Sequence, residues 1–142
     1  MAIAAADQGV DDNEETGPFS SHAARRDFHF TTPERREEML QLANRGGDLA
    51  LFGQFLHAEQ DSFSHQHGEM DRDGDPYGPW FGHLFSGHGP DRTSERPELA
   101  LKMSEDSYRQ LQAFYERTHA KKSCDDWSHI RPFVADWVKQ PR

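Results

Sequence analysis

Apolar residues recur three and four positions apart in several segments of the chain, which is the spacing of one face of an α-helix. In residues 49–64 they are Leu49, Phe52, Phe55, Leu56 and Phe63. The pattern, together with helix start and stop signals, predicts five helices. These span residues 2–10, 33–46, 49–64, 97–118 and 126–138.

Several of the predicted helix ends carry residues typical of such positions. Pro33 suits the first position of the second helix, and Glu34 lies at the positive end of the helix dipole. That helix should end at Gly46-Gly47, and Asp48 should cap the N-terminus of the next one. In the last helix, Pro132 should either cause a kink or move the helix start to that position.

The residue types disfavour a sheet-based fold. Valine and isoleucine, which strands favour, total five residues in 142. We therefore predict an all-α protein, a compact helical bundle in which residues 66–97 form a long loop rich in Gly, Pro and His. At this length we expect a single domain over residues 1–142. Because the first predicted helix begins at the second residue, we expect the domain to be truncated on its N-terminal side.

Composition and charge narrow the function classes. The residues AVILMFWYC make up 34% of the chain and the net charge is −9, which indicates a thin core in need of an additional source of stability. No apolar run approaches the roughly 20 residues of a membrane span, and we expect the chain to lack a secretion signal of its own. The acidic balance disfavours a protein that coats nucleic acid.

Histidine and aspartate in the third helix form the clearest candidate site. Five of the nine histidines lie between residues 57 and 88. His57 and Asp61 are four positions apart, so they lie on successive turns about 40° apart around the helix, and His65 follows if the helix continues. An imidazole and a carboxylate so placed can chelate one cation. The alternative is a helix pair that only hydrogen-bonds; the nearby His67 and the His and Asp residues of the loop favour the metal.

Four segments, in order along the chain, together resemble one protein family. They are Gln8–Asp12 (QGVDD), His29–Thr31 (HFT), Leu56–His65 (LHAEQDSFSH) and Gly87–Asp91 (GHGPD). These segments resemble the all-helical zinc-dependent phospholipase C and single-strand nuclease superfamily, and most closely its small bacterial branch. The resemblance covers residues 2–117, and the His-x-x-x-Asp helix is its most diagnostic part.

The resemblance implies one to three zinc ions that bind a phosphodiester and activate water for attack. His57 and Asp61 would be the central pair, with Asp61 bridging two metals. The metal ligands that the resemblance implies are Asp12, His29, His57, Asp61, His65 or His67, and His88.

Further along the chain, the implied ligand set is less complete. His83 competes with His88 for the last ligand position. Asp91 would orient a ligand or accept a proton, so that Asp61 and Asp91 are the candidate catalytic carboxylates. Four residues after His88, where the family has Glu or Asp, stands Arg92. This departure favours one or two zinc ions over three.

Together, the residues and the resemblance predict a zinc-dependent phosphodiester hydrolase similar to phospholipase C, with phospholipid favoured over nucleic acid as substrate. The bacterial branch implies a toxin or effector domain of a larger secreted protein, with a cognate inhibitor protein as partner. Two alternatives stay open. The hydrolase could be a nuclease, or the chain could be a non-catalytic helical interaction module that zinc stabilises.

Overall fold

The computed structural model describes residues 2–12, 28, 31–64, 93–119 and 126–140. Within these residues the protein has five α-helices and no strand, which confirms the predicted all-α class. The helices are α1 (Ala2–Asp12), α2 (Pro33–Gly46), α3 (Leu49–Ser64), α4 (Pro97–His119) and α5 (Trp127–Trp137). They divide between two compact units, Met1–Gly82 with α1 to α3 and His83–Arg142 with α4 and α5.

Capping residues define both the start of α2 and the turn between α2 and α3. Thr32 caps the N-terminus of α2, where its side-chain oxygen accepts a backbone hydrogen bond at 3.2 Å. Gly47 ends α2 with a left-handed φ of 62°, a conformation that glycine adopts at little cost. The carboxylate of Asp48 then accepts bonds from two backbone N–H groups of α3, at 2.9 and 3.1 Å.

In the first unit, α3 is the central helix, and both α1 and α2 pack against it. Phe52, Phe55 and Leu56 are at most 3% exposed, and Ala58 and Phe63 are also buried. These positions span about 160° around the helix axis, so nearly half of the circumference of α3 is buried. Burial of each large apolar side chain contributes about 1.5–3 kcal/mol to stability, which makes α3 a firm support for the polar residues it carries.

The contact between α1 and α3 is unusually close at one glycine. Ile3, Ala6 and Val10 follow each other three and four positions apart on α1, and Val10 is 2% exposed. Opposite them lies Gly53 of α3, where an added Cβ would be 2.6 Å from both the Ala6 Cβ and the Ile3 carbonyl oxygen. The absence of a side chain at Gly53 therefore allows the two helices to approach this closely.

In the second unit, α4 and α5 pack against each other. Tyr108 of α4 lies against Trp127 of α5 with ring centroids 5.5 Å apart. Asp126 caps α5, its carboxylate accepting a bond from the Ser128 N–H at 2.8 Å. Phe114 of α4 is 3% exposed, so this pair of helices has a small buried centre of its own.

The predicted helix boundaries agree with the structure to within two residues. The helix α1 continues through Asp11-Asp12, where a break was predicted, because acidic residues alone do not end a helix as Gly and Pro do. Pro132 lies inside α5, which begins at Trp127, so it does not move the helix start. Of the predicted loop, residues 93–96 form a turn before α4 and residues 65–92 lie outside the described residues. The single domain over residues 1–142 stays a prediction.

None of the described helices is both long enough and apolar enough to cross a bilayer.

Candidate metal site

His57 and Asp61 lie on one face of α3, as their spacing predicts. The Nε2 atom of His57 is 3.4 Å from the Oδ2 atom of Asp61. The His57 side chain is 8% exposed and the Asp61 side chain 18%. A single rigid helix therefore holds both groups, with the imidazole inside and the carboxylate nearer the surface.

Asp7 of α1 contacts the other side of the same imidazole. Its Oδ1 atom lies 3.3 Å from Nδ1 of His57, within hydrogen-bonding distance. A carboxylate can only accept, so this hydrogen bond forms when the imidazole carries a proton on Nδ1. The contact joins residues that are 50 positions apart in the sequence, and it links α1 to α3.

Gly53 explains why Asp7 reaches His57. Gly53 precedes His57 by one turn of α3, so both lie on the face that meets α1. An added Cβ at Gly53 would lie 3.1 Å from the backbone nitrogen of Asp7. The close approach of the helices at Gly53 thus brings the Asp7 side chain to the imidazole one turn further on.

Asp7 is not among the predicted site residues, although the sequence contains a signal for it. Asp7 is the one acid within the stripe that Ile3, Ala6 and Val10 form on α1. An acid in the apolar stripe of a short helix indicates a polar partner on the helix that covers it.

The separation between His57 and Asp61 is compatible with a shared zinc ion. A bare imidazole nitrogen and a carboxylate oxygen both present lone pairs, so their contact requires a proton or a cation. Two ligands at about 2.0–2.1 Å from a tetrahedral zinc lie about 3.3 Å apart, which is close to the observed 3.4 Å. Nitrogen and oxygen donors also suit zinc, so the pair fits zinc as two of its ligands.

A buried ion pair lies on another part of α3. The Nε atom of Arg36 on α2 is 2.8 Å from Oε2 of Glu59, and the two side chains are 3% and 5% exposed. Arg36 also donates to the Thr31 carbonyl oxygen at 2.8 Å. Glu59 is two positions from His57, about 200° around the helix, so its carboxylate joins α2 to α3 on a face different from that of the His57–Asp61 pair. Neither Arg36 nor Glu59 is among the residues predicted from the sequence.

The other predicted ligands are not brought to His57 by the described residues. Asp12 is exposed at the end of α1, with its Oδ1 atom 3.4 Å from Nε2 of Gln8. Within the part of the chain that the structure describes, no group of three or more His, Cys, Asp or Glu side chains could hold a metal ion. The predicted site residues outside the described residues are His29, His65, His67, His83, His88 and Asp91.

Comparison with known proteins adds no relative. No family model, no curated protein and no solved structure matches this chain. The resemblance to the zinc-dependent phospholipase C and nuclease superfamily therefore rests on the four sequence segments, and the ligand set it implies stays a prediction.

Proposed function

We propose that the chain is a zinc-dependent hydrolase of phosphodiester bonds, similar to phospholipase C. The observation that carries this proposal is the His57–Asp61 pair, whose nitrogen and oxygen donors lie 3.4 Å apart on one buried helix. The four segments that resemble the zinc-dependent superfamily, one of which contains this pair, also support it. Two donors do not complete a zinc site, so the further ligands must come from the predicted histidines and aspartates or from water.

The roles of the residues follow from their chemistry. His57 and Asp61 would hold the metal, which when bound supplies a Lewis acid for the phosphoryl oxygen and acidifies a bound water. The buried core of α3 keeps these two donors in a fixed relation to each other. Asp91 is the proposed group that orients a ligand or takes up a proton.

The charge of the chain favours phospholipid over nucleic acid as the substrate class. At a net charge of −9 the chain repels a polyanion. A single phosphodiester in a lipid head group carries far less charge. We also propose, on the resemblance alone, that the domain acts as a toxin or effector within a larger secreted protein and has a cognate inhibitor protein.

Hydrolysis of a chromogenic phosphodiester, bis(p-nitrophenyl) phosphate, by the zinc-loaded chain tests this proposal. We expect turnover that Asp61→Asn abolishes while circular dichroism shows the helical content retained. The matched control is Asp136→Asn, the same change at an exposed position of α5, which should leave turnover unchanged.

The opposite outcome is equally clear. Full zinc occupancy with no turnover of this substrate, of phospholipid vesicles or of nucleic acid would contradict the proposal. If removal of the zinc then unfolded the chain, the non-catalytic zinc-stabilised module would be the better account.

A further inference from the structure

We infer that Asp7 is a positioning residue of the zinc site, which holds the His57 imidazole with its proton on Nδ1 and directs the Nε2 lone pair toward Asp61. The inference rests on the proposed function, because it assigns Asp7 a role toward the same zinc. It adds a residue that neither the spacing in α3 nor the resemblance indicates.

The two nitrogens of His57 face different carboxylates. Nδ1 lies 3.3 Å from Asp7 and Nε2 lies 3.4 Å from Asp61. A neutral imidazole has one N–H and one lone pair, so only one nitrogen can bind a metal while the other donates. Histidines that bind metals almost always donate the second N–H to a carboxylate, a carbonyl or water, which fixes the tautomer and the ring orientation.

The position of each carboxylate decides which nitrogen takes which role. Asp61 is on the same helix as His57, one turn away, so the two can chelate one cation without any movement of helices. Asp7 comes from a separate helix, and its placement depends on the packing of α1 at Gly53. We therefore assign the metal to the Nε2 side and the hydrogen bond to the Nδ1 side.

The charges at the site are consistent with this assignment. Asp7 and Asp61, whose side chains are 30% and 18% exposed, bring two carboxylates to opposite nitrogens of one imidazole. A divalent cation on the Nε2 side would offset part of their negative charge. The Nδ1–H bond to Asp7 then raises the basicity of the ligand nitrogen.

Two readouts on the zinc-loaded chain test the inference. Long-range 1H–15N NMR should show His57 protonated at Nδ1 and bound to zinc at Nε2. In a zinc titration, Asp7→Ala should bind zinc about 10–100-fold more weakly than the unchanged chain, at the same number of zinc ions per chain. Asp136→Asn should bind as the unchanged chain does.

A second variant distinguishes a weaker zinc site from a chain that has lost its fold. Asp7→Asn keeps the side-chain volume and an oxygen that can accept the Nδ1–H bond, so its zinc affinity should fall less than that of Asp7→Ala. Circular dichroism should show the same helical content in both.

The outcomes separate this inference from the proposed function. Zinc bound at Nδ1, unchanged zinc affinity in Asp7→Ala, or loss of a zinc ion in that variant would each overturn the inference while leaving the hydrolase proposal standing. A chain that binds no zinc would contradict the proposed function, and the role of Asp7 would fall with it.

Discussion

The Nε atom of Arg36 lies 2.8 Å from the Oε2 atom of Glu59, and neither side chain is more than 5% exposed. This ion pair joins α2 to the helix that carries His57 and Asp61. In an acidic chain of 142 residues with a thin apolar core, such a buried pair makes the attachment of α2 sensitive to a single change of charge.

Glu59→Gln should lower the free energy of unfolding by about 3–5 kcal/mol, because it removes the negative charge that lies 2.8 Å from the buried Arg36 guanidinium. Urea unfolding followed by circular dichroism measures the change. The matched control is Glu38→Gln on α2, which breaks the exposed Arg35–Glu38 pair at 3.3 Å and should cost less than about 1 kcal/mol. Equal effects of the two substitutions would show that the buried pair has no special role.

Gly53→Ala should destabilise the first unit, because the added methyl group would lie 2.6 Å from Ala6 and force α1 away from α3. We expect a loss of about 1–3 kcal/mol, although alanine is the better helix former by about 1 kcal/mol. Thermal unfolding measures it. Gly9→Ala is the control, since nothing lies within 4 Å of an added Cβ there and the change should stabilise α1.

The same Gly53→Ala variant connects packing to the site. If α1 moves outward, Asp7 leaves Nδ1 of His57, so zinc should bind more weakly, in the same direction as in Asp7→Ala. A Gly53→Ala chain with unchanged stability and unchanged zinc affinity would contradict the close approach of the two helices.

Hydrogen bonds from the backbone N–H and the hydroxyl group of Ser128 hold the pKa of Asp126 below its ordinary value of 3.8. Because the folded pKa is lowered, the cap stabilises α5 fully above pH 3.8 and loses that effect as the pH falls through the lowered pKa. An NMR titration of the Asp126 carboxyl carbon should give a midpoint below 3.8. A midpoint at or above 3.8 would mean that the side chain does not cap the helix in solution.

Local patterns predicted most of the fold. Pro33, the Gly46-Gly47 pair and Asp48 set the ends of α2 and α3 through bonds within a few residues, and periodicity located the remaining helices to within two residues. His57 and Asp61 were predictable for the same reason, since a spacing of four on a helix fixes their relation without knowledge of the tertiary structure.

The contacts between helices were not predictable in this way. Asp7 meets His57 across 50 positions of sequence, and Arg36 meets Glu59 across two helices. Such pairs depend on which faces dock and how closely. Gly53 is a sign of this helix packing in the sequence itself. A glycine inside a helix lowers helix stability by about 1 kcal/mol relative to alanine, so its presence there usually has a packing reason.

Zinc content after equilibrium dialysis tests the central claim most directly. Elemental analysis of the dialysed chain should find at least one zinc ion per chain, and Asp61→Asn and His57→Ala should each lose zinc while Asp136→Asn retains it. Circular dichroism on the same samples separates loss of a ligand from loss of fold. Less than one zinc ion per chain, or full zinc content in folded Asp61→Asn and His57→Ala chains, would contradict the account.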